Sequence, residues 1–130
     1  METNFSKVKD FLLNLEYDIV TEDQEDEVFV IEKEDEGIVN MVIAIAEPIV
    51  IIEQQLFDLK NDDSSTLKSL LMKNRDIIHG ALVLDESGKK VIFRDTLQVE
   101  NLDCNELEGS IKSLSLLLSE YTDEIIGFSK

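Results

Sequence analysis

The stretch MVIAIAEPIVIIEQQLF, Met41 to Phe57, constrains the fold more than any other part of the chain. It belongs to two segments rich in Val and Ile, Ile38 to Ala46 and Ile49 to Phe57, whose branched side chains suit strands. Between them Glu47 and Pro48 make a turn, because Pro has no N–H for a ladder and holds the residue before it extended. Two strands joined so closely are antiparallel. In MVIAIA and PIVII both parities are apolar. A sheet with one solvated face alternates apolar with polar, so these strands are predicted to be covered on both faces. The second cover would come from the last helix, another copy of the chain or a segment of another polypeptide.

Helical periodicity flanks the strands. Thr3 is a candidate N-cap, and Phe5, Val8, Leu12 and Leu15 recur on one face, widened by Phe11, which predicts a helix from Asn4 to Leu15. Tyr17 and Ile19 mark a short extended piece before an acidic turn. Val28 to Ile31 reads as a strand, and Gly37 with its acidic neighbours turns the chain into Ile38. The polar break NDDSS offers Asp63 or Ser64 as N-cap of a second helix, with Leu67, Leu70, Leu71 and Asn74 on one face. IIHGALVLDESGKKVIFRD reads as strand, turn, strand, the turn being Asp85 to Gly88. Asp103 and Glu106 make a capping box for the longest helix, along which Leu107, Ile111, Leu114, Leu118, Tyr121 and Ile125 form a stripe. The predicted order is α-β-β-β-α-β-β-α. It describes a single α+β domain over residues 1–130, with helices packed on an antiparallel sheet.

Charge narrows the function. Lys and Arg number 12 against 29 Asp and Glu, a net charge of −17. That balance opposes binding to nucleic-acid phosphates and to anionic lipid, and favours basic partners. No apolar run approaches the ~20 residues of a membrane helix. The N-terminal METNFSKVKDF has no apolar core of signal-peptide length, and the one cysteine, Cys104, fits a reducing compartment, so a cytoplasmic location is expected.

Chemistry-bearing motifs are sparse. One His and one Cys make no zinc site, and EKEDEG has Glu where a calcium loop needs Asp or Asn, so no metal is expected. Five scattered Gly form no phosphate loop, so no cofactor is expected either. Cys104, in the first turn of the last helix, would have a lowered pKa if the helix dipole dominates; a packed structural thiol is the favoured reading. The densest polar stretch is NRDIIHGALVLDESGKKVIFRD. An enzyme or small-ligand site would draw on Arg75, His79 and Asp95 there, yet no nucleophile elbow or triad accompanies the lone His79. The favoured reading is structural: Asn74 and Arg75 end a helix, and His79 and Gly80 enter a strand.

LLMKNRDIIHGALVLD, followed by KKVIFRDTLQVENLDCNELEGSIKSLSLLLSEY, resembles the YbjN-type proteins of the type III secretion chaperone-like (Tir chaperone) superfamily. The likeness is strongest from Leu70 to Tyr121: an Asn near the end of a helix, a Gly in the next strand, a hairpin, and a final helix. The resemblance implies a small cytosolic α+β protein, commonly dimeric, that acts by binding other polypeptides. A non-enzymatic chaperone- or adaptor-like module, and a homodimer, are therefore expected. For the binding surface, side chains alternate along a strand, so Phe29 and Ile31 cannot share a face with Val28 and Val30. Phe29 and Ile31, with Val50 and Ile52 on the neighbouring apolar segment, are the predicted client surface. The flanking acidic runs from Glu22 to Glu27 and from Glu32 to Glu36 predict client segments with Lys or Arg beside apolar anchors.

Overall fold

The computed structural model describes residues 3–60 and 63–130, so Asn61 and Asp62 of the predicted polar break lie outside it. Helix α1 (Asn4–Asn14) starts on a reciprocal capping box between Thr3 and Ser6 and buries Phe5, Val8 and Leu12. Strands β1 (Asp18–Asp23), β2 (Val28–Lys33), β3 (Ile38–Ala46) and β4 (Ile49–Asp58) follow, with a 3-10 turn, Glu34–Glu36, between β2 and β3. Helix α2 (Ser64–Lys73) takes its N-cap from Asp63, whose carboxylate accepts the Thr66 N–H at 2.8 Å. Strands β5 (Ala81–Leu84) and β6 (Lys90–Gln98) form the second hairpin, and helix α3 (Cys104–Phe128) begins where the Asp103 carboxylate accepts the Glu106 N–H.

The six strands form one antiparallel sheet in the order β1-β2-β3-β4-β6-β5. The expected α+β class and antiparallel sheet with packed helices are present. One strand was not foreseen: the extended piece around Tyr17 and Ile19 is the full edge strand β1, paired along β2. Its sequence, DIVTED, has too little apolar content to read as a strand, because all six of its positions are solvated or half-solvated and none is buried.

Register decides which parity faces the helices. One row across the sheet pairs Phe29 with Ile43, Ile43 with Ile52 and Ile52 with Asp95. The apolar members of that row are fully buried. Helix α1 lies over it, with Phe5 stacked on Phe29 at 4.4 Å between ring centroids and 13° between planes. Helix α3 lies over it too, where the Ser110 hydroxyl donates to the Asp95 carboxylate at 2.7 Å. Each fully buried Phe, Leu or Ile here contributes roughly 1.5–3 kcal/mol of transfer free energy. Among the described residues Gln54 is the one buried polar side chain on a strand; its amide N–H donates to the Gly37 carbonyl while its oxygen accepts the Val39 N–H.

Asn74 and Gly80 explain the polar stretch read in the sequence. Asn74 caps the C-terminal end of α2, and its carboxamide spans to β5, accepting the Leu82 N–H at 2.7 Å and donating to the Leu82 carbonyl at 3.4 Å. Gly80 sits at φ +84° against the Phe93 ring. These residues join α2 to the second hairpin.

Candidate protein-binding surface

All four side chains expected to meet a client are in the core: Phe29, Ile31, Val50 and Ile52 are each 0% exposed. That expectation is corrected. Alternation does force one pair of β2 outward, but the pair is Val28 and Val30, because Phe29 and Ile31 face α1 and the buried row of the sheet. On this outer face Val28 lies beside Ala44, and Ala44 beside Ile51; the next row runs Val30, Val42, Glu53, Arg94. None of these side chains is buried, and Val42 is 36% exposed. The double-faced apolarity of β3 and β4 is thus matched by helices on one side only among the described residues.

A groove of about 760 Å³ reaches from this face to the helix side, where Gln54 and the end of α3 line it. Val39, Val42, Glu53, Gln55 and Ile92 of the sheet line it, as do Leu118 and Ile125 of α3. Glu53 and Arg94 form an ion pair in the middle of the apolar rows. Because both are about a third or more exposed, the pair adds at most about 1 kcal/mol to stability. It places a cation and an anion among the apolar side chains of this face. A second apolar hollow, about 440 Å³, lies between α2 and β5 and is lined by Leu67, Leu70, Leu71, Leu82, Val83, Leu84 and Val91. Leu71 beside it is 70% exposed, Met72 56% and Leu84 44%. Isolated exposed apolar side chains are ordinary; contiguous ones mark surfaces that meet something.

Of the residues of the enzyme reading, His79 and Asp95 both meet α3, the His79 ring at Gly109 and the Asp95 carboxylate at Ser110, whereas Arg75 lies apart from that contact. Arg75 is exposed and lines a shallow hollow with Met72, Lys73 and Asp76, which includes neither His79 nor Asp95. His79 is tied to α3 through its backbone: its N–H donates to Ser113 Oγ at 3.1 Å, and the Ser113 hydroxyl donates to its carbonyl at 2.7 Å. Asp95 is engaged by Ser110. Cys104 is half-buried, and its thiol pKa is raised, first by burial and then by Glu108 and Asp103. Burial first and the negative neighbours second disfavour the thiolate, so a lowered pKa for this thiol is not found. Among the described residues no cluster of three or more His, Cys, Asp or Glu could hold a metal, and no helix is long and apolar enough to cross a membrane.

Known proteins share this architecture. A chain of the HopA1-SchA chaperone-effector complex superposes with TM-score 0.63 at 13% identity, covering 95% of this chain and 91% of that one. The Yersinia pestis type III secretion chaperone SycH, in complex with a stable fragment of YscM2, gives TM-score 0.63 at 18% identity, over 98% of this chain and 100% of that one. YbjN from E. coli gives 0.61 at 10% identity, over 95% and 93%. At such identities these likenesses establish the fold. A search of curated protein sequences returns no significant match. The sequence model of the CesT_Tir_1 family matches residues 1–130, and the chain belongs to that family of type III chaperones.

Proposed function

We propose that the protein is a non-enzymatic cytosolic chaperone or adaptor that holds an apolar segment of another polypeptide on the outer face of its sheet. The groove beside the uncovered sheet face, apolar at Val39, Val42, Leu56 and Ile92 and polar at Asn40, Glu53, Gln54 and Gln55, carries this reading, and family membership supports it. The client chemistry follows from charge. With a net charge of −17 and acidic runs from Glu22 to Glu27 and from Glu32 to Glu36, the surface attracts segments whose apolar anchors alternate with Lys or Arg. A synthetic peptide of alternating Val and Lys, followed by fluorescence anisotropy, is the direct probe. Replacing Val42 and Ile92 together by Ser is expected to weaken its binding at least tenfold while costing the fold no more than about 2 kcal/mol, since neither side chain is fully buried. A folded double variant that binds as the wild type does would place the client elsewhere. The association rate should also fall as salt rises, because steering between exposed charges is screened.

The homodimer is assigned to the α2–β5 surface. Between Ser64 and Leu84 the chain carries Lys68 and Arg75, besides the Lys73 that pairs with Glu124, against Asp76 alone, so two copies of an otherwise acidic chain can meet there without opposing their negative surfaces. Leu71, Met72 and Leu84 supply the apolar contact. Light scattering at tens of micromolar is expected to give twice the chain mass, more firmly at moderate than at very low salt, and Leu71→Glu is expected to give a monomer. A wild-type monomer at every ionic strength would remove the dimer; a dimeric Leu71→Glu would move its interface.

A further inference from the structure

Helix α3 breaks before its end, and one residue beyond the break, Ile125, lines the groove. Tyr121 has φ −125° and ψ 20°, outside the helical range. The cause is local. The Thr122 hydroxyl donates to the Leu118 carbonyl, and the Ser119 hydroxyl to the Leu116 carbonyl at 3.1 Å. Hydroxyls that take helix carbonyls in this way bend helices. Beyond the bend Ile125 is buried and Phe128 stacks on Phe57 at 6.4 Å between centroids. Leu118 before the break and Ile125 after it both line the groove.

One side chain of α2 fastens this segment. Lys73 Nζ lies 4.6 Å from the centroid of the Tyr121 ring and 6.0 Å from that of Phe128, and it pairs with the Glu124 carboxylate. Its side chain is only 12% exposed, so the charge is largely desolvated against two ring faces, where cation–π attraction is strongest. A hydrogen bond from the Tyr121 hydroxyl to Asp76, 3.1 Å, lies beside it. The rest of the segment contributes little: Thr122, Asp123, Glu124, Ile126 and Gly127 are exposed. A stretch with so few buried side chains opens at far lower cost than the core beneath it.

We propose that Thr122–Phe128 is a hinged wall of the client groove, latched by Lys73, that swings at Tyr121 to admit or release a bound segment. The proposal rests on the outer-face groove being the client site. Lys73→Met keeps the apolar stem and removes the charge. In hydrogen–deuterium exchange on the full chain, residues 122–128 are expected to exchange at least tenfold faster in this variant, with β3 and β4 unchanged. Glu124→Gln, which removes the ion pair and leaves Lys73 on its rings, is expected to give a smaller acceleration confined to the same residues. Stopped-flow association of Nile red, a neutral apolar dye, should speed up at least threefold in Lys73→Met. Exchange of 122–128 within twofold of wild type, acceleration spread equally through the sheet, or an unchanged dye rate would each overturn the latch. Failure of the wild type to bind the Val–Lys peptide, with local acceleration still seen in Lys73→Met, would instead remove the client reading and leave the hinge standing.

Discussion

Replacing Phe29 and Ile31 together by Ser is expected to unfold the protein. Both side chains are 0% exposed, and Phe29 carries the stacking contact that fixes α1 on the sheet. Truncating a buried Phe costs about 3–5 kcal/mol and a buried Ile about 2–5. Two Ser hydroxyls placed in an apolar core add the penalty of buried polar groups without partners. The two truncations sum to roughly 5–10 kcal/mol before that penalty, which reaches the whole net stability of an ordinary domain, about 5–15 kcal/mol. Circular dichroism and urea titration read the result. A cooperative transition with a midpoint close to that of the wild type would mean that β2 turns its other parity toward α1. The Val42 and Ile92 double variant is the matched contrast, since it removes comparable apolar surface from the opposite side of the same sheet.

Gly80→Ala is expected to cost about 2–4 kcal/mol, which lowers Tm by roughly 10 °C in a chain of this size. Two effects combine. At φ +84° an L side chain is strained by about 1–2 kcal/mol. A Cβ there would also lie 2.7 Å from Phe93 Cζ and 2.9 Å from the Arg94 carbonyl oxygen, and the backbone oxygen cannot move aside cheaply. Gly88 separates the two effects: its φ is +73°, and nothing lies within 4 Å of an added Cβ. Gly88→Ala should therefore carry the conformational strain alone, about 1–2 kcal/mol. Equal losses for the two variants in thermal unfolding would show that close packing at Gly80 adds nothing.

The helices and the central hairpin were legible because their signals are local. Thr3, Asp63 and Asp103 cap where their side chains can reach a backbone N–H, and Pro48 stands between two runs of branched residues. The choice of face was not legible. Val28 and Phe29, or Val50 and Ile51, are alike in polarity, and only the arrival of Phe5 and of α3 from distant parts of the chain decides which parity is buried. The clue that could have helped is size: the larger Phe29 fills space between a sheet and a helix, whereas Val28 and Val30 make a shallow surface. Strand β1 escaped notice for the opposite reason. It is held by its pairing with β2 and by few side chains, so its composition resembles that of a loop. The groove was invisible for a third reason, since its lining comes from β3, β4, β6 and α3 together.

The carboxamide of Asn74 has an effect that reaches beyond joining α2 to β5. A peptide strand arriving at the outer edge of β5 would seek the free N–H and C=O of Leu82, and Asn74 already holds both. A side-chain amide thus occupies the place of a seventh strand for one residue pair, and a seventh strand cannot displace it without leaving Asn74 unpaired. At the other margin β1 has a register shift between Ile19 and Thr21, and its acidic side chains at Asp18, Glu22 and Asp23 repel a like neighbour. Neither margin invites the sheet to propagate from molecule to molecule. A sheet with an uncovered apolar face and unguarded margins would be a template for fibrils; here both margins are blocked, so the exposed face does not carry that hazard.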